Sequence, residues 1–372
     1  MTGAIRTGLY ADSDQTIVWR ALAMIAGGVG HWILTGSATA DVVSSASVDV
    51  RSSPGLSKVD VTTSASGRAS SSGGKMSDRR LAATAGAGWN DGRGHAFNLS
   101  ASFANERDYN SVGAGWNGSI ELFERVTTLL GGLGFTQSWI GSTLDPTFAK
   151  QMYALGWTGG VAQVLTRKDA LRLRYDGAFA DGYQASPYRN VRFGDWTTTT
   201  DATGRITFAN TIGSSDGVAE NEPNQHIRHA LTLEWVHSFF DGLALHAEAR
   251  IGTDSWGVQS VAAGLELRAA TLHWRLRAGY RFYAQSQADF YRPKYLLASS
   301  SYTYFTSDKE LSHELGHVAN LGVSRVLRQP SRPGGVPLRL DVTASVLYYD
   351  YPDFVLLKSR VSGFVELGLT WE

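Results

Sequence analysis

The chain has 372 residues, with 34 basic and 34 acidic side chains, 41 glycines and no cysteine. A nucleic-acid-binding protein normally carries a basic surplus, so the balanced charge disfavours that class. The missing cysteine excludes disulfide scaffolds, thiolate metal sites and cysteine nucleophiles. Aromatic residues make up 11% of the chain and charged residues only 18%, a composition that favours extended β-structure over disorder.

The segment from Ala21 to Ala40 has no charged side chain and is long enough for a membrane helix. It could also be the apolar core of a signal peptide, with residues 37–40 as a small-residue cleavage site. Four glycines weaken any helix here, and apolar residues alternate in strand fashion over 17–24. We therefore predict two strands joined by Gly27–Gly30, and expect that a secretion signal is missing from this chain.

Strict alternation continues along the chain and is clearest near residue 280, where Trp274, Leu276 and Ala278 alternate with Arg275 and Arg277. A strand places each of these two sets on one face, whereas a helix would mix them. The runs last about ten residues, the length that a tilted strand needs to cross a bilayer. The pattern predicts about sixteen strands, at 3–10, 16–26, 31–43, 79–89, 95–105, 111–122, 126–139, 151–165, 170–181, 227–238, 243–254, 258–269, 272–285, 315–327, 338–350 and 361–371.

The connections between these strands alternate between short links and longer loops, the longest of which are 44–78, 181–226 and 286–314. Bacterial outer-membrane barrels have an even strand number, short periplasmic turns and long external loops. A soluble β-sandwich or propeller has no reason to sort its loops by length. We therefore predict an all-β fold: one transmembrane antiparallel β-barrel of about sixteen strands, forming a single domain over 1–372 in the bacterial outer membrane.

Several loop segments carry motifs of a known kind: DVVSSASVD at 41–49, ERDYNS at 106–111, GYQASPYRNV at 182–191 and YRFYAQSQADFY at 280–291. They resemble an uncharacterised family of predicted Gram-negative outer-membrane β-barrels. The resemblance implies the barrel and its location but no activity. Genes of this family often lie beside genes for thioredoxin-like proteins, small lipoproteins and flavin transferases. By that association, the resemblance also implies a link to an envelope redox or flavin system.

If the polar face of each strand points inward, charged side chains gather in the second half of the chain. The predicted pore-lining residues are Arg172, Arg174, Arg228, Glu234, His246, Glu248, Arg250, Glu266, Arg268, His273, Arg275, Arg277, Arg281, Arg339 and Asp341. Such a wall would favour anionic or zwitterionic solutes, although the same charges could simply pair and stiffen the barrel. The candidate loop-motif residues are Tyr183, Pro187, Tyr188, Arg189, Asp289 and Tyr291, whose role is either loop packing or a binding site.

His313 and His317 frame an HELGH sequence that matches the zinc-protease motif. That motif works on a helix, where both imidazoles share a face, whereas here it leads into a predicted strand. Two histidines four positions apart in a strand lie about 13 Å apart, too far for one zinc ion. We therefore expect no metal, no cofactor and no catalytic residue, with a rim-site hydrolase as a remote alternative.

The sequence thus predicts a porin-like channel with a partly Arg-lined lumen. An alternative is a scaffold that presents its loops to an envelope partner. The expected partners are outer-membrane lipid or lipopolysaccharide and a periplasmic protein or lipoprotein, with no nucleic acid.

Overall fold

The computed structural model describes residues 1–45, 68–69, 76–200, 206–210, 217–329 and 335–371. Within them, sixteen long antiparallel strands form one sheet. These are β1 (Thr2–Asp12), β2 (Thr16–Val29), β3 (Trp32–Ser45), β4 (Met76–Asn90), β5 (His95–Asn105), β6 (Tyr109–Leu122), β7 (Thr127–Ile140), β8 (Lys150–Val164), β9 (Asp169–Gly182), β10 (Gln225–Phe240), β11 (Leu243–Asp254), β12 (Gln259–Ala270), β13 (Trp274–Gln285), β14 (Glu314–Arg328), β15 (Leu338–Asp350) and β16 (Ser359–Trp371).

Each strand pairs with its sequence neighbours, and the sheet closes because β1 pairs with β16. In that ladder Gly3 lies opposite Trp371 and Asp12 lies opposite Ser362. The predicted all-β barrel of about sixteen strands is therefore confirmed. Closure leaves no free sheet edge, so the backbone groups of every strand find partners within the sheet.

The two faces of the sheet differ sharply. One rung across β9 to β13 reads Arg172, Glu234, Glu248, Gly264 and Arg281. The next rung reads Leu173, Leu233, Ala249, Ala263 and Phe282. We call these the polar face and the apolar face. Large hydrophobic side chains on the apolar face are widely exposed, as in Leu265 (57%) and Leu367 (49%).

The predicted alternation of loop lengths is also confirmed. At the end of the barrel that holds both termini, which we call the turn end, β2–β3 and β10–β11 are joined by two residues each. Gly242 makes the second of these turns possible, because it has a φ of +88° and a Cβ there would lie 2.4 Å from the Ala270 carbonyl oxygen. At the opposite end, the loop end, the longest connections are 46–75, 183–224 and 286–313.

The segment Ala21–Ala40 lies in β2 and β3, which pair from Val29 and Trp32 onwards, as the strand interpretation predicted. No helix in the described part of the chain is long and apolar enough to cross a membrane. Small loop elements escaped prediction: two-residue strands at Asn190–Val191 and Val218–Ala219, a hairpin of Trp196–Thr200 with Ile206–Asn210, and two 3-10 turns, Ser299–Ser301 and Lys309–Leu311.

Candidate functional site

The predicted pore-lining residues lie, with one exception, on the polar face of β9 to β13 and β15. His273 is the exception, because β13 begins at Trp274 and His273 belongs to the preceding turn. The carbonyl oxygen of His273 accepts a hydrogen bond from the backbone N–H of Val326 at 2.9 Å. Its position at the turn end was misjudged because alternation carries on for a residue beyond the strand.

Many of these charges are paired with one another, within a strand or between strands of the same wall. Arg172 donates to Glu234 at 3.2 Å, and Arg174 and Arg250 both contact one carboxylate oxygen of Asp176 at 3.1 Å. These side chains are a quarter to a half exposed, so each pair contributes little to stability. Their main effect is to hold a strip of alternating charge at fixed positions on the wall.

Near the turn end the balance shifts toward positive charge. A cavity of about 450 Å³ lies against the polar face of β12 to β16 and β1. Its charged lining consists of Arg6, Arg268, Arg275, Arg277, Arg339 and Asp341. Arg6 was not among the predicted residues, although the alternation of Ala4, Arg6 and Gly8 with Ile5 and Thr7 could have identified it.

The other half of the polar face carries small side chains. On β4 to β7, one rung reads Gly86, Ser100, Gly115 and Gly134. The neighbouring rung reads Gly88, Asn98, Asn117 and Gly132. The charged wall of β9 to β15 and this stretch of glycine, serine and asparagine on β4 to β7 therefore lie opposite each other in one closed sheet. Toward the loop end, Arg20, Asp41 and Arg80 add charge to the polar face of β2 to β4.

Over the loop end, the described segments 183–200, 206–210, 217–224, 255–258, 286–313 and 351–358 form what we call the cap. Its first apolar cluster consists of the buried residues Trp256, Ala288, Tyr291, Tyr351 and Phe354. A second cluster consists of Val191, Tyr295 and Phe305, with Phe193 and Tyr302 packed against it. Aromatic side chains bury large apolar areas, so these two clusters hold loops that are distant in sequence in one arrangement.

The first cluster is anchored to the barrel through a turn at the end of β11. Asp254 Oδ1 accepts hydrogen bonds from the backbone N–H groups of Trp256 and Val258, both at 2.9 Å. The Trp256 ring stacks on His226 with 3.9 Å between ring centroids, and Asp254 also contacts His226 at 2.8 Å. The turn therefore fixes the position of the central tryptophan of the cap.

A buried charge network joins the two longest described parts of the cap. Arg189 contacts Asp308 at 2.5 Å and Glu220 at 3.6 Å, although Arg189 and Asp308 are 119 positions apart. The side chain of Glu220 is completely buried and also accepts from the backbone N–H of Ser307 at 2.7 Å. Buried charges are costly unless paired, so this network specifies how the loops meet.

Glu222 lies beside this network and behaves differently. Burial, together with the nearby carboxylates of Glu220 and Asp308, raises the pKa of Glu222 to about 9. The hydroxyl of Thr306 lies 2.9 Å from Glu220 and 2.8 Å from Glu222, and one hydroxyl has one proton to donate. A protonated Glu222 that donates to Thr306, which donates in turn to Glu220, satisfies all three groups. Sequence reasoning missed both glutamates, because two acids in a polar loop show no periodicity.

The predicted loop-motif residues are packing elements of the cap. Tyr188 and Tyr291 are 2% and 1% exposed, and the Tyr188 hydroxyl accepts from the backbone N–H of Thr143 at 2.9 Å. Tyr183 packs edge-on against Phe148, and Pro187 is half-buried between Ser186 and Tyr188. The Asp289 backbone N–H donates to the Trp256 carbonyl oxygen at 2.8 Å.

The HELGH motif leads into β14, as predicted. His317 lies within the strand and contacts the Tyr280 hydroxyl through Nδ1 at 2.7 Å. His313 precedes the strand and pairs with Asp353. Within the described ranges, no group of three or more metal-ligating side chains could hold a metal ion.

Comparison with known proteins gives a family match over part of the chain and no activity. A search of curated proteins finds no match. Among solved structures, a bacterial polysaccharide outer membrane secretin shares 9% identity and a TM-score of 0.47, covering 100% of this chain and 98% of that one. A ferric enterobactin receptor (PfeA) mutant from Pseudomonas aeruginosa shares 13% identity with a TM-score of 0.45. The match covers 94% of this chain and 53% of that one, so this chain spans about half the length of that receptor. A TodX monoaromatic hydrocarbon channel mutant shares 11% identity with a TM-score of 0.43, and the match covers 100% of this chain and 90% of that one.

Residues 148–329 match the model of a family described as "Protein of unknown function (DUF3570)". The matched range runs from β8 to β14 and includes most of the cap. The chain is therefore a closed sixteen-stranded β-barrel that matches, over these residues, the uncharacterised family expected from its sequence.

Proposed function

We propose that this chain is a channel of the bacterial outer membrane, in which the polar face surrounds a water-filled lumen and the apolar face contacts lipid. The observation that carries the proposal is the closed sheet whose exposed large hydrophobic side chains are concentrated on one face. A strand of 14 residues rises about 46 Å, and a tilt near 45° leaves about 33 Å along the barrel axis, enough to cross a bilayer.

The polar face supports passage of small charged solutes. Barrels of about sixteen strands are wide enough to leave an aqueous channel. Charged residues on β9 to β16 stand across from glycine, serine and asparagine on β4 to β7, so a solute in the lumen would experience a transverse field. Because arginine predominates near the turn end, the channel should prefer anions to cations.

In this proposal the cap limits the size of the solutes that can enter the lumen from the loop end. A cavity of about 380 Å³ is lined both by polar-face residues, among them Asp176, Arg228 and Arg250, and by Glu310 and Leu311 of the cap. Gln285 at the end of β13 donates to the carbonyl oxygen of Glu310 at 2.7 Å and so ties wall and cap together. In this proposal a solute passes the cap before it reaches the Arg-rich region.

Planar-bilayer recording of the purified barrel tests the proposal. Discrete ion steps are expected, with a reversal potential in a KCl gradient that indicates anion preference. The double variant Arg275→Gln, Arg277→Gln should reduce that preference. The matched control is Arg325→Gln, because Arg325 lies over the Trp274 ring on the apolar face and should leave selectivity unchanged. Correctly folded protein that gives no ion steps would rule out the open channel.

A second candidate function, presenting the cap to an envelope partner protein, is favoured by the outer surface of the cap. Leu296 and Leu297 are 63% and 61% exposed, and the cap also holds a cavity of about 430 Å³ lined by Phe290, Arg292 and Tyr304. Exposed apolar patches rimmed by polar groups mark interaction sites. Affinity purification from cell envelopes tests this candidate: a protein captured by the unaltered barrel should be lost with Leu296→Asp, Leu297→Asp.

A further inference from the structure

A groove of about 650 Å³ lies on the apolar face of the barrel near the loop end. Its lining follows two neighbouring rungs of the sheet. The first, which we call the apolar rung, consists of Tyr175, Leu231, Ile251, Val261 and Ala284 on β9 to β13. The second, which we call the polar rung, lies two residues nearer the loop end and consists of His229, Thr253, Gln259 and Ser286. Because a strand rises about 3.3 Å per residue, the two rungs are about 7 Å apart.

The apolar rung forms an open trough. Its side chains become smaller from Tyr175 on β9 to Ala284 on β13, so the surface is lower on the β13 side. Ile251 is 58% exposed, and Leu231 and Val261 are exposed as well. In the proposed channel the apolar face contacts lipid, so hydrocarbon is the medium that reaches this trough.

The polar rung supplies hydrogen-bonding groups at the end of the barrel wall. Thr253 is the last residue but one of β11, and Gln259 is the first residue of β12. The Tyr175 hydroxyl lies 2.7 Å from Nδ1 of His229, and the two rings stack with 6.0 Å between centroids. When that hydroxyl donates to Nδ1, the imidazole carries its N–H on Nε2 and can donate from there. The polar rung therefore combines imidazole, hydroxyl and amide groups, none of which is a carboxylate or an ammonium group.

We propose that this groove binds one acyl chain of a lipopolysaccharide molecule, with the chain on the apolar rung and its ester or amide linkage on the polar rung. An acyl chain is apolar along its length and ends at a carbonyl group that accepts hydrogen bonds, so it matches the two rungs in order and direction. The volume lies within the usual range for ligand sites. Lipopolysaccharide is the lipid of the outer leaflet, and the long loops of such barrels face the cell exterior. The inference rests on the proposed function in one respect, the contact of the apolar face with lipid.

Native mass spectrometry of the full-length barrel in detergent, titrated with purified lipid A, tests the site without any transport. We expect saturable retention of one lipid A molecule per chain. Ala284→Phe fills the trough and should weaken binding about tenfold or more, as expected if about two methylene groups are kept out of the groove. Ala278→Phe is the matched control, because Ala278 lies on the same strand and face, three rungs nearer the turn end, and does not line the groove. Its affinity should stay within about twofold of the unaltered barrel.

The polar rung has a matched pair of its own. His229→Leu removes a donor beside the chain linkage and should weaken binding about fivefold or more. Tyr280 and His317 form a second tyrosine–histidine pair on the apolar face, with the same 2.7 Å contact, but neither lines the groove. His317→Leu should therefore leave the affinity within about twofold.

Heat-modifiable gel mobility shows whether each variant is folded. No saturable retention by the folded, unaltered barrel would overturn the inference, as would equal affinity of the Ala284→Phe and Ala278→Phe barrels. Equal affinity for phosphatidylethanolamine and lipid A would overturn the assignment to lipopolysaccharide. Bilayer recording separates these outcomes from failure of the channel. Ion steps without lipid retention would remove the groove site and leave the channel, whereas retention without ion steps would do the reverse.

Discussion

Replacement of Arg189 by Met should loosen the cap while leaving the barrel intact. Methionine keeps much of the aliphatic volume of arginine but removes the charge that faces Glu220 and Asp308. The Arg189 side chain is 11% exposed and that of Glu220 is completely buried, so water cannot take over the lost contact. Burial already raises the pKa of Glu220, and the Arg189 guanidinium opposes that rise.

The expected cost follows from this burial. Removing one partner of a buried ion pair typically costs about 3–5 kcal/mol, because an uncompensated charge stays behind. The free energy of opening the cap should therefore fall by about 3 kcal/mol or more at pH 8, equivalent to about a hundredfold. At lower pH the loss should be smaller, because Glu220 can take up a proton and become neutral.

Hydrogen exchange by mass spectrometry in detergent measures this opening. The probes are the backbone amides of Asn221 and Phe305, which bond to each other's carbonyl oxygens across the cap at 3.1 and 2.9 Å. Amides of the barrel strands serve as the internal reference. The double variant Arg189→Met, Glu220→Gln should recover much of the lost protection, because it removes the stranded charge as well. A change of less than threefold at both amides in Arg189→Met at pH 8 would refute the reasoning.

Three further predictions concern the same cap. Because the pKa of Glu222 is raised to about 9, the folded cap keeps a proton that the unfolded loop releases near pH 4.5, so the stability of the cap should fall as pH rises between these two values. Hydrogen exchange, corrected for intrinsic rates, measures this pH dependence, and Glu222→Gln should abolish it. An unchanged pH dependence in that variant would contradict the prediction. The Tyr351 hydroxyl is buried without a hydrogen-bond partner among the described residues. In urea unfolding of the cap, Tyr351→Phe should therefore be neutral or stabilising, whereas Tyr351→Ala should lower the free energy of unfolding by about 3–5 kcal/mol. A clear loss of stability in the Phe variant would contradict this prediction. Gly257 has a φ of +86° and a Cβ there would lie 2.3 Å from Asp289 Oδ1, whereas Gly92 has a φ of +70° and no atom within 4 Å of its Cβ position. Gly257→Ala should therefore lower hydrogen-exchange protection of the cap by more than Gly92→Ala lowers protection of the turn at 91–94. Equal effects would show that the Asp289 contact does not matter.

The barrel could be predicted from the sequence because the alternation of apolar and polar residues that defines its strands is visible within short stretches of chain. Alternation over ten residues, as in Trp274 to Phe282, is visible wherever one face is apolar and the other polar, and turn lengths add the topology. Strand ends were less certain: β4 begins at Met76 rather than 79, and β13 begins two residues after the predicted start. At the start of β13 the alternation continues into the turn, so no residue marks the boundary.

The cap could not be predicted in the same way. Its contacts join Arg189 to Asp308 and Asn221 to Phe305, residues that are far apart in sequence and follow no period. The loop motifs indicated that Tyr188 and Tyr291 pack, since aromatic residues in polar loops need a buried environment. They gave no partner for either tyrosine, and nothing in the sequence marked Glu220 and Glu222 as buried acids.

The ladder between β1 and β16 has a consequence for how the barrel assembles. It joins Gly3 to Trp371, so the first strand to be made is among the last to find its second partner. Until then the growing sheet has two open edges, and each presents unpaired N–H and C=O groups that can pair with another chain. Pairing of such distant segments is also slow, because a long stretch of chain must first be brought together. The unfinished sheet therefore needs protection from its neighbours throughout assembly, and a chain that lacks residues 359–371 would keep β1 and β15 as permanent sites for aggregation.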